Sequence, residues 1–276
     1  MKRLLFLLLM TFLPLFASTS TIMKLEIKGA IGPASSNYLK EGMAAAVSQN
    51  AQMMLIELDT PGGLATSMRE MIQEMLNTSI PVILYVSPKG ARAASAGTYL
   101  LYASHIAVMA PGTNLGAATP VNMMNPPQMK DQNLSSSAME KKVINDSVAY
   151  IKSLAQLRDR NISWAIEAVK EGKSLSAEDA LRYKVIDLVA EDENELFQKL
   201  EGREVKIADK TVTLSFKGTQ HLHFTPDWKN WFLSIVTNPN MAYILLMIGI
   251  YGIFFELMNP GDRKSTRLNS SHLGIS

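Results

Sequence analysis

Three loops in this sequence carry residues suited to hydrolytic chemistry. Asp59-Thr-Pro-Gly-Gly-Leu64 follows the apolar run 53–58. Ser87 to Tyr99, containing Ala93-Ala-Ser-Ala-Gly97, follows the run 82–86. Ala110-Pro-Gly-Thr-Asn-Leu-Gly-Ala-Ala118 follows the run 105–109. Ser95 has only small neighbours and lies at an expected strand-to-helix turn, where a substrate carbonyl can approach a serine oxygen closely. A helix N-terminus also presents free N–H groups, that of Ala96 among them, to a developing oxyanion. The same position suits a plain N-cap serine. Gly62-Gly63 allows backbone conformations closed to other residues and frees an N–H for an anion or a carbonyl, although a tight turn uses such a pair equally well.

A serine nucleophile needs a base. Histidine is scarce, with four in the chain. His105 opens an apolar strand and reads as structural. His221 and His223 lie between a hairpin and a C-terminal apolar run. Lysine is left, and Lys141 and Lys142 open a long helical stretch. Ala138 and Ala149 share a side with Lys142, so tight packing there would desolvate the amine, and a desolvated lysine gives up its charge and can accept a serine proton. The alternative is a pair of solvated lysines at a helix start.

These loops need a scaffold. Between residues 22 and 189, short β-like runs (22–31, 53–58, 82–86, 105–109, 185–189) alternate with helical stretches (35–48, 65–76, 93–101, 138–158, 163–171, 177–182). That alternation predicts an α/β domain with a largely parallel sheet, and ligands bind at the carboxyl ends of such strands, which places the three loops on one rim. Ser176-Ala-Glu-Asp179 has the form of a helix start. Residues 205–207 and 211–216 read as a small hairpin. The stretch 119–137 mixes prolines, methionines and polar residues, and reads as a mobile lid in which Met123, Met124 and Met129 close over an apolar substrate, with a disordered segment as the alternative.

Composition narrows the classes. Of 276 residues, 47% are hydrophobic and 19% charged, which excludes wholesale disorder and fibrous repeats. A net charge of +2, from 27 basic and 25 acidic residues, gives no electrostatic case for nucleic acid as a partner. With no cysteine there is no disulfide, no cysteine-ligated metal and no cysteine nucleophile. Seventeen methionines suggest apolar surface that adapts its shape. No cofactor or metal is expected.

The termini carry an address. Lys2 and Arg3 precede a run of about 13 apolar residues, and Ala17-Ser-Thr-Ser20 supplies small residues, so 1–20 reads as a cleaved export signal, with an uncleaved anchor as the alternative. Residues 241–258 are nearly all apolar with one charge, Glu256, and read as a membrane-spanning helix, with a buried core helix as the alternative. The expected organisation is a signal (1–20), a catalytic domain (21–216), a linker (217–240), a membrane helix (241–258) and an unrelated disordered tail (262–276). The catalytic domain is then extracytoplasmic, on the periplasmic or cell-surface side.

Several motifs in order carry a resemblance: Asp59-Thr-Pro-Gly-Gly63, Ala93-Ala-Ser-Ala-Gly-Thr-Tyr99, Ala103-Ser-His-Ile-Ala107, Ala110-Pro-Gly-Thr113, Lys142-Val-Ile-Asn145, Asn238-Pro-Asn-Met-Ala-Tyr243 and Phe255-Glu-Leu-Met-Asn-Pro-Gly261. Over residues 22–261 the sequence resembles the NfeD family of membrane-bound, ClpP-class serine proteases. The resemblance implies a ClpP/crotonase-like spiral of ββα units and a Ser–Lys dyad formed by Ser95 and Lys142. It also implies oxyanion donors at Gly63 and Ala96, and a substrate strand beside Gly62, Gly63 and Leu64. Further implied are apolar peptide substrates, notably in a stomatin-like membrane protein, and a homodimer or larger assembly. Two other classes fit the same residues: a non-proteolytic scaffold for a stomatin-like partner, and a crotonase-type acyl-CoA enzyme.

Overall fold

The computed structural model describes residues 21–121, 134–236 and 239–258. The chain runs β1 (Thr21–Lys28), α1 (Pro33–Ser48), β2 (Met53–Asp59), α2 (Ala65–Asn77), β3 (Val82–Val86), β4 (Arg92–Ala94), α3 (Ala96–Ala103), β5 (Ile106–Met109) and β6 (Asn114–Gly116). It continues through α4 (Leu134–Leu157), α5 (Ile162–Lys170), β7 (Ser174–Ser176), α6 (Ala177–Arg182), β8 (Leu188–Val189) and α7 (Glu193–Leu200). The hairpin β9 (Glu204–Ile207) and β10 (Lys210–Thr213), the strand β11 (Gln220–His223), α8 (Trp228–Val236) and α9 (Pro239–Met258) complete it.

The main sheet is wholly parallel, in the order β11-β1-β2-β3-β5-β8. Its central strands are buried on both faces, so they read as continuous apolar runs rather than alternating ones. One face packs on α1, α2 and α3; on α2 the buried residues Met68, Met71, Ile72 and Met75 recur every three or four positions, whereas α3 is buried all round. The other face carries Leu55, Ile83 and Val108 against Leu196, Leu200 and Val205 from α7 and the hairpin. A second, smaller sheet pairs β4 with β6 and β6 with β7.

The two sheets arise from one repeated device. A long strand in the main sheet is followed by a short segment in the second layer and then by a helix: β3, β4, α3, then β5, β6, α4. The isolated bridges Ile31–Gly63 and Thr60–Ala93 do the same work after β1 and β2. This is the ββα repeat of the expected spiral.

Several expectations are corrected. The segment 217–240, expected to link, carries β11, which extends the main sheet beside β1. Phe224 is tied in as well: its N–H donates to Lys24 O at 2.9 Å and its ring stacks on Tyr38. The expected helix start at 93 is strand until Ala94, because Ala93 and Ala94 pair with β6. Among the described residues most methionines serve the core rather than a surface: Met23, Met43, Met53, Met54, Met68, Met71, Met75 and Met109 are buried, while Met139 is exposed. The signal at 1–20, the tail at 262–276 and Met123, Met124 and Met129 lie outside the described residues.

The chain divides into a unit through Ser234 and another from Ile235. In the second, Met241–Met258 is the one described helix long and apolar enough to cross a membrane.

His105 is structural, as expected. Its Nδ1 accepts the Val82 N–H at 3.2 Å. Burial, with the charges of Arg158 and Arg160 adding to it, pushes the imidazole down to about 3. An unfolded histidine protonates near 6.5, so folding stability is intact above that pH and falls as pH drops towards 3. In that window this one residue contributes a slope of about 1.4 kcal/mol per pH unit. His105→Asn keeps an acceptor for Val82 and lacks the titration. Urea unfolding between pH 4 and 7 is expected to show a shallower pH dependence for the variant.

Candidate active site

Ser95 occupies a strained elbow. β4 ends at Ala94, α3 begins at Ala96, and Ser95 between them has φ 51° and ψ −113°. A non-glycine residue held there costs about 1–3 kcal/mol and persists only where its surroundings enforce it. Backbone contacts enforce it here. The Ser95 N–H donates to Gly116 O at 3.2 Å, and the Thr98 N–H to Ser95 O at 3.0 Å. The buried Thr98 hydroxyl donates to Ala93 O at 2.8 Å and accepts the Gly116 N–H at 3.1 Å. The Ser95 side chain takes no part, making no capping bond, so the N-cap alternative does not describe this serine.

The glycine pair is built against that serine. Gly62 has φ +110°, and a Cβ there would sit 2.5 Å from Ser95 Cβ and 3.0 Å from Ser95 Oγ. Buried Thr60 fixes the turn, its Oγ1 accepting the Gly62 N–H at 3.0 Å. Gly63 forms the parallel bridge to Ile31 through its neighbours: the Ile31 N–H donates to Gly62 O at 2.8 Å and the Leu64 N–H to Ile31 O at 2.9 Å. In that pattern the Gly63 N–H points away from Ile31. Among the described residues no backbone carbonyl accepts it. The Ala96 N–H, first in α3, has no intrahelical acceptor either. Ser95 Oγ and two unclaimed amides therefore share one end of the sheet, and Leu64 stands beside them, 47% exposed.

Lys142 is placed differently from the expectation. It is exposed, as are Ala138 and Ala149, and no hydrogen bond joins it to Ser95 among the described residues. The stripe of α4 that packs inward is Val148, Ile151, Leu154 and Ala155. Lys142 falls on the opposite side, so the two alanines mark small residues rather than a packed surface. The helix nevertheless brings Lys142 to the same end of the molecule as Ser95. Tyr99 hydrogen-bonds Ser147 and stacks on Tyr150, while the Arg158 Nε donates to Ala103 O at 2.9 Å. Hence α3 and α4 run in the same direction. One turn towards the N-terminus from these contacts lie Ser95, just before α3, and Lys142 on α4.

The other candidate bases are elsewhere. His105 precedes β5, at the opposite end of the sheet, and His221 and His223 lie on the edge strand β11. Among the described residues no cluster of histidines and carboxylates is suited to a metal ion. Sequence reasoning missed Thr60, Thr98 and Gly116, which lock the elbow. Thr60 and Thr98 lie two or three residues from Gly62 and Ser95, and a hydroxyl at that spacing is a sign of local backbone capping. It also missed Arg160, whose Nη1 caps the far end of α3 by donating to the carbonyls of Leu101, Tyr102 and Ser104. Its Nη2 pairs with Asp187 at 2.8 Å. Burial works to raise the Asp187 carboxyl, but Arg160 holds it below the usual range.

The ββα spiral with a serine elbow on its rim is the ClpP/crotonase-like α/β class. Residues 21–210 match the family model described as NfeD1b, N-terminal domain, and the chain belongs to that family. It is 41% identical over 238 residues to the membrane-bound protease PH1510 of Pyrococcus horikoshii, covering 86% of this chain and 53% of that protein. It is 28% identical over 249 residues to the membrane protein NfeD1b of Bacillus subtilis, with 89% and 53% covered. This chain thus spans about half the length of the curated relatives it matches. Among solved structures, a lysine-to-alanine variant of the 1510-N membrane-bound stomatin-specific protease, in complex with a substrate peptide, superposes with a TM-score of 0.70 at 36% identity, covering 80% of this chain and 99% of that one. The 1510-N membrane protease specific for a stomatin homolog from Pyrococcus horikoshii gives 0.67 at 36% identity, covering 80% and 100%.

Proposed function

We propose that this chain is a membrane-associated serine endopeptidase that cleaves apolar peptide segments through a Ser95–Lys142 dyad. Ser95 Oγ attacks the peptide carbonyl carbon, and Lys142 Nζ takes the hydroxyl proton. The N–H groups of Gly63 and Ala96 hold the oxyanion. Collapse of the tetrahedral adduct breaks the C–N bond, and Lys142 returns its proton to the leaving amine. Water, activated by the same amine, then hydrolyses the ester. No cofactor enters these steps.

The observation that carries this reading is the strained elbow. It holds an unbonded serine oxygen beside two unclaimed amides, an arrangement with a cost and no structural return. The similar solved structures include a serine-to-alanine and a lysine-to-alanine variant of a protease, which supports the same pair of side-chain types. Lys142 is exposed in the free chain. A substrate strand laid along Gly62, Gly63 and Leu64 would also cover Met139 and Val143, which are 59% and 43% exposed on α4, and would exclude water from the amine between them. An apolar segment suits that role, and a stomatin-like membrane protein is the proposed source. The proposed placement is extracytoplasmic, with 241–258 as anchor and the catalytic domains associated as dimers or larger assemblies.

Peptide cleavage and labelling by a fluorophosphonate probe test the reading together. Cleavage of a fluorogenic Leu/Ile/Val-rich peptide is expected from the wild-type protein, with the label on Ser95, and Lys142→Ala is expected to lose roughly 10²–10⁴ in rate. Absence of both cleavage and label leaves the scaffold function in its place.

A further inference from the structure

We infer that Arg69 and Asp146 form a clamp that sets the position of Lys142, making them positioning residues for the dyad; the inference rests on the endopeptidase reading above. From Ala138 to Asp146, α4 is exposed apart from the half-buried Ile144. Burial therefore does not fix the direction in which this end of the helix points. Among the described residues, the first side chain of α4 to pair with a charged group on another element is Asp146. Its Oδ2 accepts from Arg69 Nη2 at 2.6 Å. The Arg69 guanidinium also lies over the Tyr150 ring, 4.1 Å from its centroid, and Tyr150 stacks on Tyr99 of α3.

One arginine thus joins three helices just below the rim. Arg69 lies on α2, five residues after the Leu64 that follows the oxyanion glycine. Tyr99 lies one turn below Ser95 on α3. Asp146 lies one turn below Lys142 on the same side of α4. A tilt of α4 about this clamp moves Lys142 relative to Ser95 and Gly63, and misplacement of a reacting group by about 1 Å costs about 10²-fold. The clamp itself adds little to stability, because its charged groups are 41% and 68% exposed and water screens them. A large effect on turnover with almost none on folding is the signature that follows.

The full-length chain in detergent, cleaving a fluorogenic Leu/Ile/Val-rich peptide, tests this. Arg69→Ala and Asp146→Ala are each expected to lower kcat roughly 10- to 100-fold. Each should leave KM within about twofold, as for a group acting on the reacting atoms rather than on substrate affinity. Each should shift Tm by less than about 3 °C. The double variant is expected to be no slower than either single one, since both remove the same clamp. Arg69→Lys, which keeps the ion pair, is expected to recover most of kcat. Single variants with wild-type kcat, losses that multiply in the double variant, or losses that track a fall in Tm overturn the clamp. Wild-type kcat in Lys142→Ala overturns instead the dyad on which it rests, and with it any role for the clamp.

Discussion

Ser95→Ala is expected to remove peptide cleavage, by at least roughly 10³-fold, while leaving the stability of the protein unchanged. The two halves of this outcome have separate causes. The rate falls because the attacking oxygen is gone, and the amides of Gly63 and Ala96 alone give only residual acceleration. Stability stays because Ser95 Oγ makes no capping bond in the fold. A serine that merely capped α3 would behave in the reverse way: its loss would cost about 1 kcal/mol and leave cleavage intact. Ser95→Gly sharpens the contrast. Glycine adopts positive φ without the clash that a Cβ makes, so the variant is expected to be about 1 kcal/mol more stable than wild type, and equally inactive. Urea midpoints beside cleavage rates read both quantities. An alanine variant that cleaves at the wild-type rate would end the nucleophile assignment, and a glycine variant that is less stable would end the account of strain.

The sequence was most legible where one physical effect dominated. The runs at 53–58, 82–86 and 105–109 are apolar because both of their faces are covered, and each is a strand within one residue of its expected bounds. Ser176 caps α6 as its spacing implied, accepting the Asp179 N–H. The glycine pair and Ser95 stood out because only small residues allow backbone and side chain to approach as closely as Gly62 and Ser95 do. What was hidden depended on contacts far along the chain. β4, β6 and β7 are three residues each, too short for any periodicity, and exist because each finds the next one. β11, Gln220–His223, is exposed at all four residues and has no apolar pattern; it is a strand because β1 offers it an edge. The packed surroundings expected for Lys142 failed for a related reason. Two alanines at helical spacing define a side of α4, but which side faces inward is decided by α3, through Tyr99 against Ser147 and Tyr150.

Gly63→Ala separates transition-state stabilisation from substrate affinity. A Cβ at residue 63 would lie 2.0 Å from Ile31 O and 2.6 Å from Ile31 N, backbone atoms that cannot swing aside as a side chain can. The loop after β2 must therefore move off Ile31, and the Gly63 N–H moves with it. Among the described residues no backbone carbonyl accepts that N–H, so its displacement matters where negative charge collects on the carbonyl oxygen. Loss of one such donor costs roughly 10²–10³ in kcat. The effect is expected mainly in kcat, because the uncharged ground-state carbonyl gains less from the donor than the oxyanion does. Fluorophosphonate labelling of Ser95 is expected to slow as well, since phosphonylation develops the same charge. Gly218→Ala supplies the control. Gly218 also has positive φ, +70°, but a Cβ there meets nothing within 4 Å, so the variant suffers backbone strain without any intrusion on the rim. It is expected to lose about 1 kcal/mol of stability and no activity. If Gly63→Ala retained kcat within a few-fold of wild type, the oxyanion would have to be held elsewhere, and the close packing of Gly63 on Ile31 would be structural alone.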